Sequence, residues 1–345
     1  MAPNRLLLVS YPRTASNLLL QILSLKDQPN VLANDHGGYF FMRAFMVAAQ
    51  ESRTYRPFDQ WTPEECKEVQ TTFQECMDAM EEYSERAQKQ GKMLVTKEHA
   101  FWLCNPMAFS RMIHGTNGEH DDLFRVQIPA AYGPSQTYSP NNQTVFSDEY
   151  LRTWRMAFII RHPALVFPSF YRAMLKMVAA NVLMKDELPG VLETNMSLQW
   201  TRMLYDWGME NSDPESQPLL LDAHDVIHNP EVVIRFCERV GLDPNALKFE
   251  WEKKADANAE PAPEQRAVPD QRVSIQTEGA RAIMLGSLAG SSGVLKDKAP
   301  THIDVAVESS KWKKELGEEA ALLLEKTVLA AMPDYEYLKK RRVRL

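Results

Sequence analysis

Residues 5–10, Arg-Leu-Leu-Leu-Val-Ser, form an apolar run that does not alternate with polar positions. A strand of that kind must be covered on both faces, which is the situation inside a parallel sheet flanked by helices. A polar turn follows, and Leu18 to Leu25 resumes as an apolar helix. Three more short apolar runs, Met93 to Thr96, Met156 to Ile160 and Leu219 to Leu221, are separated by stretches of helical character. The clearest helix starts at Pro63, where Thr62 and Glu65 make a capping box, and closes at Gly91. Its apolar positions Cys66, Val69, Phe73, Cys76, Met77, Met80 and Tyr83 step by threes and fours, so the two cysteines belong to a core-facing stripe. Another helix has Asn229 as its cap and Pro230 at its first position, and runs to Gly241. A last one spans about Lys311 to Ala331 and is expected to stop at Pro333. Strands alternating with helices predict an α/β fold: one domain over residues 1–345, with a central, mostly parallel sheet flanked by helices.

Composition narrows the function. Lys and Arg number 39 against 46 Asp and Glu, a formal net charge of −7, which argues against a nucleic-acid coat or a membrane-surface footprint. A small anionic ligand stays open, because a few placed cations set a local field. The four cysteines stand apart with no C-x-x-C pair, and no apolar run reaches the ~20 residues of a membrane span. The expectation is a cytoplasmic protein with reduced thiols and a small-molecule partner, without nucleic acid or membrane, and compatible with a homodimer. Residues 115–150 carry Gly, Pro, Asn and Ser and read as a long surface loop or lid. Residues 253–272 read as a polar, mobile segment, and the basic tail 339–345 reads as solvated.

The first strand-turn-helix is a phosphate-site geometry, because backbone N–H groups at a helix start converge where the helix dipole favours an anion. Arg13 adds a cation to that turn, and Thr14, Ser16 and Asn17 add side-chain donors. The glycine-rich NTPase loop G-x-x-x-x-G-K-[ST] is absent, since no glycine precedes Gly37.

Tyr11-Pro12-Arg13-Thr14-Ala15-Ser16-Asn17-Leu18 resembles the 5′-phosphosulfate loop of sulfotransferases, usually Y-P-K-S-G-T-T-W, with Arg for the lysine and Ala15 for the glycine. Phe158-Ile159-Ile160-Arg161-His162-Pro163, with Ser169 eight residues after Arg161, resembles the family's 3′-phosphate motif. A guanidinium that forks onto phosphate oxygens and a hydroxyl donor suit that task. Between them, Met93-Leu94-Val95-Thr96-Lys97-Glu98-His99 is similar to the strand and K-T-H segment that carries the base in cytosolic sulfotransferases. The resemblance implies a P-loop-like sulfotransferase fold and the donor 3′-phosphoadenosine 5′-phosphosulfate, which leaves as 3′,5′-ADP. It implies His99 as the base and Lys97 as stabiliser of charge on the bridging oxygen. Arg13, Thr14, Ala15, Ser16 and Asn17 would hold the 5′-phosphosulfate, and Arg161 and Ser169 the 3′-phosphate. Glu98 is the competing base, on the opposite strand face.

Tyr39, Phe40, Phe41 and Phe45, and Phe101 and Trp102, follow these motifs and are candidates for an acceptor pocket, foremost Phe40, Phe41, Phe101 and Trp102, which would make the acceptor partly apolar or aromatic. In the C-terminal half, Leu219 to Asp222, Asn229-Pro230 through Val240-Gly241, and Lys311-Trp312-Lys313 resemble later family segments. The R-K-G triplet of many members has no clean match; Lys296 and Lys298 are the nearest cations. Asp222, His224, Asp225 and His228 read as strand-to-helix and capping residues, and no metal is expected. Two alternatives remain open at this level: a divergent P-loop kinase or NTPase, and a sulfotransferase-fold protein that only binds or runs other chemistry.

Overall fold

Alternate side chains of the first strand enter two separate cores, Leu7 and Val9 one, Leu6 and Leu8 the other. The computed structural model describes residues 4–115, 118–133, 135–251, 279–280, 282–284, 292–296 and 299–344. Within them, β1 (Arg5–Ser10), β2 (Val31–Leu32), β3 (Met93–His99), β4 (Arg155–Ile160) and β5 (Leu219–Asp222) form one sheet of order β2-β3-β1-β4-β5. Every pairing is parallel, and β1 lies at the centre. The α/β architecture expected of the apolar runs is the one observed. Strand β3 runs three residues beyond the apolar stretch, so Lys97, Glu98 and His99 are strand residues that pair with Leu8, Val9 and Ser10.

The face of Leu6 and Leu8 is covered by α1 (Ser16–Leu23), α9 (Ala223–His228) and α10 (Pro230–Val240). The other face carries α2 (Met42–Ala49), α3 (Pro63–Lys89), α4 (Pro106–His114), α6 (Pro163–Ala179), α8 (Gln199–Asn211) and α12 (Glu318–Lys340). Two short helices, α5 (Asp148–Leu151) and α7 (Leu188–Asn195), and α11 (Val305–Leu316) lie beside them. The capping box of α3 forms as read: Glu65 N–H donates to Thr62 Oγ1 at 3.2 Å, and Thr62 N–H to Glu65 Oε2 at 2.8 Å. Cys76 is buried on its stripe, where burial pushes the thiol up to about 12. At the head of β1 the buried Arg5 donates to Glu81 Oε1 of α3 at 2.6 Å, and its guanidinium lies 4.6 to 4.8 Å from the ring centres of Tyr132, Tyr150 and Trp154. Such a charge is tolerated inside because it is paired and covered by rings.

Several local expectations change. The last helical stretch is two helices broken at Gly317, whose φ is +91°, and Pro333 lies within the second. Pro333 and Leu329, whose carbonyl loses its helical donor, are both exposed, on the solvent side of the helix where such a loss is tolerated best. Asn229 makes no side-chain cap on α10; the capping carboxylate is Asp222, which accepts from His224 N–H at 2.8 Å and opens α9. The 115–150 stretch is irregular but anchored: Phe124, Val126, Val145 and Phe146 are buried, and Asp148 accepts from Ser139 N–H, Asn142 Nδ2 and Trp207 Nε1 at 2.8 to 3.0 Å. The tail docks as well, with Val343 N–H on Leu220 O at 2.8 Å and Arg342 Nε on Asp225 at 2.7 Å. Residues 253–272 and Lys298 lie outside the described residues.

One loop matters for the site. Gly37 to Tyr39 pairs with the end of β3: Lys97 N–H donates to Gly37 O at 2.9 Å, and Tyr39 N–H to Lys97 O at 2.8 Å. Gly38, at φ +140°, lies so close that an added Cβ would stand 2.2 Å from Lys97 O and 2.3 Å from Lys97 N. Backbone cannot yield as a side chain can. Gly38→Ala is therefore expected to lose at least about 2 kcal/mol in chemical denaturation. Gly91→Ala, at φ +64° with nothing within 4 Å, should lose only about 1 kcal/mol. Equal losses would contradict the packing account.

Candidate active site

The carboxyl ends of β1, β3 and β4 are adjacent, and each carries residues singled out above. After Ser10 the chain turns through Arg13 and Ala15, both left-handed at φ +70° and +63°. Side chains other than glycine adopt this region at a cost of about 1 to 2 kcal/mol each, so the turn holds strain. Thr14 Oγ1 donates to Tyr11 O at 2.7 Å, which spends that hydroxyl proton inside the turn rather than on a ligand. Ala15, the N-cap of α1, offers no side-chain acceptor, and the first turn holds no acidic residue. The leading N–H groups of α1 are thus uncapped by side chains, a setting that favours an anion.

Two guanidiniums flank this turn. Arg13 Nε donates to Ser169 Oγ at 2.9 Å, Arg13 Nη1 to Met284 O at 2.7 Å, and Arg161 Nη1 to Arg13 O at 3.0 Å. The β1 turn, the end of β4 and α6 therefore bring Arg13, Arg161 and Ser169 together. Burial lowers Arg13, while burial and then the neighbouring Arg13 pull Arg161 down to about 10, so both remain cationic at neutral pH. Like charges held side by side are relieved by a bound anion. His162 caps α6 by accepting from Ala164 N–H at 3.2 Å, and burial lowers it to about 4.

The third cation is fully buried. Lys97 Nζ donates to Ser16 Oγ at 3.3 Å and also to Asn17 Oδ1 and Tyr39 OH, and it lies 4.2 Å from the Tyr39 ring centre. Tyr39 OH donates to Asn17 Oδ1 at 2.9 Å, which fixes the carboxamide with its oxygen toward the lysine. His99 is on the same strand face, two residues on. Ser10 Oγ lies 2.9 Å from His99 Nδ1 and 3.3 Å from Glu98 O. The carbonyl can only accept, so the serine proton goes there, Nδ1–H donates to Ser10, and Nε2 keeps a lone pair. Burial, then the charge of Lys97, lowers His99 well below the usual imidazole range, so the ring is neutral.

Glu98 points the other way. Its Oε1 accepts from Phe40 N–H at 2.6 Å, and burial pushes the carboxyl up to about 8 against the pull of backbone donors at 39–41. It anchors the loop before α2 and does not share the face of Lys97 and His99. Of the four aromatic candidates, two surround His99: Trp102 edge-on with centroids 4.3 Å apart, and Phe101 stacked at 5.9 Å. Phe45 packs behind them at 5.1 and 6.1 Å. Phe40 lies on Tyr83, and Phe41 is buried between Phe73 and Phe146 in the α3 core, so their ring contacts are not with His99. Sequence reading passed over Ser10 and gave Tyr39 only a place among the pocket aromatics, with no role for its hydroxyl. The signal for Tyr39 was Gly37-Gly38 before it, a mark of close backbone approach.

The C-terminal candidates have other partners. Lys311 and Lys313 pair with Glu308 and Glu318, Trp312 is buried, and Lys296 is exposed. Asp222 Oδ2 accepts from Tyr335 OH at 2.9 Å, and His228 Nε2 contacts Ala299 O at 2.7 Å; no metal-binding cluster occurs among the described residues. No helix among them is long and apolar enough to cross a membrane.

No family model matches the chain. Two curated proteins do. The sulfotransferase ppzF of Metarhizium rileyi (strain RCEF 4871) is 36% identical over 352 residues, covering 99% of this chain and 97% of its own. The protein of the same name from Metarhizium majus (strain ARSEF 297) is 36% identical over 354 residues, again covering 99% and 97%. A solved sulfotransferase domain from the curacin biosynthetic pathway aligns with 91% of this chain and 97% of its own at 11% identity, with a TM-score of 0.36 that is too low to bear on the fold. Identity at this level along nearly the entire length makes the chain a member of the sulfotransferase family.

Proposed function

We propose that the protein transfers a sulfuryl group from 3′-phosphoadenosine 5′-phosphosulfate to a hydroxyl, with an amine as second choice, of a small, partly aromatic acceptor. The observation that carries this reading is the pair of neighbouring guanidiniums, Arg13 and Arg161, beside the uncapped start of α1. An anion with two separated phosphate positions matches that charge. Ser16, Asn17 and the α1 N–H groups would receive the 5′-phosphosulfate; Arg13, expected there from the loop resemblance, instead bonds Ser169 and would join it and Arg161 on the 3′-phosphate.

The acceptor would lie against Phe101 and Trp102 with its hydroxyl on His99 Nε2. As the acceptor oxygen bonds to sulfur, the bond from sulfur to the bridging phosphate oxygen breaks, His99 takes the hydroxyl proton, and 3′,5′-ADP leaves with the bridging electron pair. Lys97 neutralises charge growing on that oxygen. Positioning and fixed charge do most of the work in such loose, in-line transfers.

His99→Ala should lower kcat by about 10² to 10⁴ with 3′,5′-ADP binding nearly unchanged in calorimetry. In wild type, kcat/KM reports the free enzyme, so a base lowered by burial should stay active below pH 6.5, with its acid limb falling under that value. Full turnover in the alanine variant would remove His99 from the mechanism. For the donor, 3′,5′-ADP at a hundredfold excess over its Kd should stabilise the protein by about 2.7 kcal/mol. Arg161→Ala should weaken that binding at least about tenfold. Stabilisation by ATP with magnesium and none by 3′,5′-ADP would instead favour nucleoside-triphosphate chemistry.

A further inference from the structure

Lys97 is held by more than the phosphate turn. An ammonium has three N–H donors, and three acceptors stand around this one: Ser16 Oγ and Asn17 Oδ1 from α1, and Tyr39 OH from the loop that pairs with β3. They are not equivalent. Ser16 is a long contact, at 3.3 Å, and stands alone, whereas Asn17 and Tyr39 are also bonded to each other at 2.9 Å. Tyr39 also presents its ring face to the ammonium at 4.2 Å. The same ring touches His99 at 5.7 Å and Trp102 at 5.3 Å, so one side chain links the cation, the proposed base and the acceptor wall.

The backbone is built to keep Tyr39 there. Its φ is +68°, a left-handed conformation that a tyrosine does not take without constraint. Three features supply the constraint: the close approach of Gly38 to Lys97, the Tyr39 N–H bond to Lys97 O, and the Glu98 carboxyl oxygen on Phe40 N–H. Glu98 thus contributes from the far face of the sheet to holding a residue on the near one.

We propose that Tyr39 is a positioning residue for sulfuryl transfer. With Asn17 it forms the permanent seat of the Lys97 ammonium, and the weaker Ser16 contact is the one surrendered when the bridging oxygen of the donor arrives. Ser16, relieved of the lysine, then turns its own proton to a phosphate oxygen. The inference rests on the donor reading above and adds a residue to it.

Tyr39→Phe keeps the ring against the ammonium, His99 and Trp102, and removes only the hydroxyl. The expected result is a tenfold or greater fall in kcat, with acceptor KM and the Kd of 3′,5′-ADP each within threefold of wild type. Tyr39→Leu, which also loses the ring, should fall further in kcat and raise the acceptor KM. A second readout does not depend on turnover: with ¹⁵Nζ-labelled lysine, the Lys97 ammonium should give a slowly exchanging signal in wild type that broadens or disappears in Tyr39→Phe. Wild-type kcat in Tyr39→Phe, or an unchanged Lys97 signal, would overturn the proposal. So would a parallel loss of 3′,5′-ADP binding and melting temperature, which would make the hydroxyl merely structural. If wild type itself transfers no sulfuryl group, the donor reading fails, whereas the labelled lysine still reports on the seat.

Discussion

An ammonium taken out of water must be given acceptors in return, and the active end of this protein is arranged around that requirement. Lys97 is a strand residue with no exposed surface, facing the first turn of α1 across the sheet. The β1–β3 register, with Leu8 opposite Lys97 and Ser10 opposite His99, fixes both groups at once. A slip of one residue would send both to the other face and bring Glu98 to this one. The phosphate-type turn, the tyrosine loop and the histidine are therefore coupled through one strand pairing rather than assembled independently.

The legible part of the fold was the part written in local chemistry. Unbroken apolar runs announce doubly covered strands, and a Thr62, Pro63, Glu65 sequence announces a helix start, because the same atoms decide the structure and the pattern. What escaped depends on distant partners. Pro333 does not end its helix, and its exposed position, which local pattern does not reveal, is where the lost hydrogen bond costs least. The 115–150 stretch looked like a lid because its anchors are isolated aromatics and one carboxylate, Asp148, whose partners come from Ser139, Asn142 and Trp207.

The site shows the same division. Strand ends announced Arg13, Lys97, His99 and Arg161, and the structure brings all four to the neighbouring ends of β1, β3 and β4. The aromatic residues could not be sorted by sequence, since a phenylalanine in a core and one beside a histidine read alike. Phe41 packs on Phe73 and Phe146 of the α3 core, whereas Phe101 stacks on His99. The contact of Tyr39 with Lys97 was hidden for a different reason: its place is set by two glycines and by Glu98, which looked like a rival base.

The C-terminal strand β5 is an outer strand of the sheet, with β4 as its only paired neighbour among the described residues. Unpaired strand edges are where β proteins adhere to one another. The chain end after α12 lies along this one: Val343 donates to Leu220 O, its side chain enters the α10 core, and Arg342 and Arg344 are tied to Asp225 and Arg235. A run of cations that reads as solvated in the sequence thus works inward, as a charged hem along the open side of the sheet.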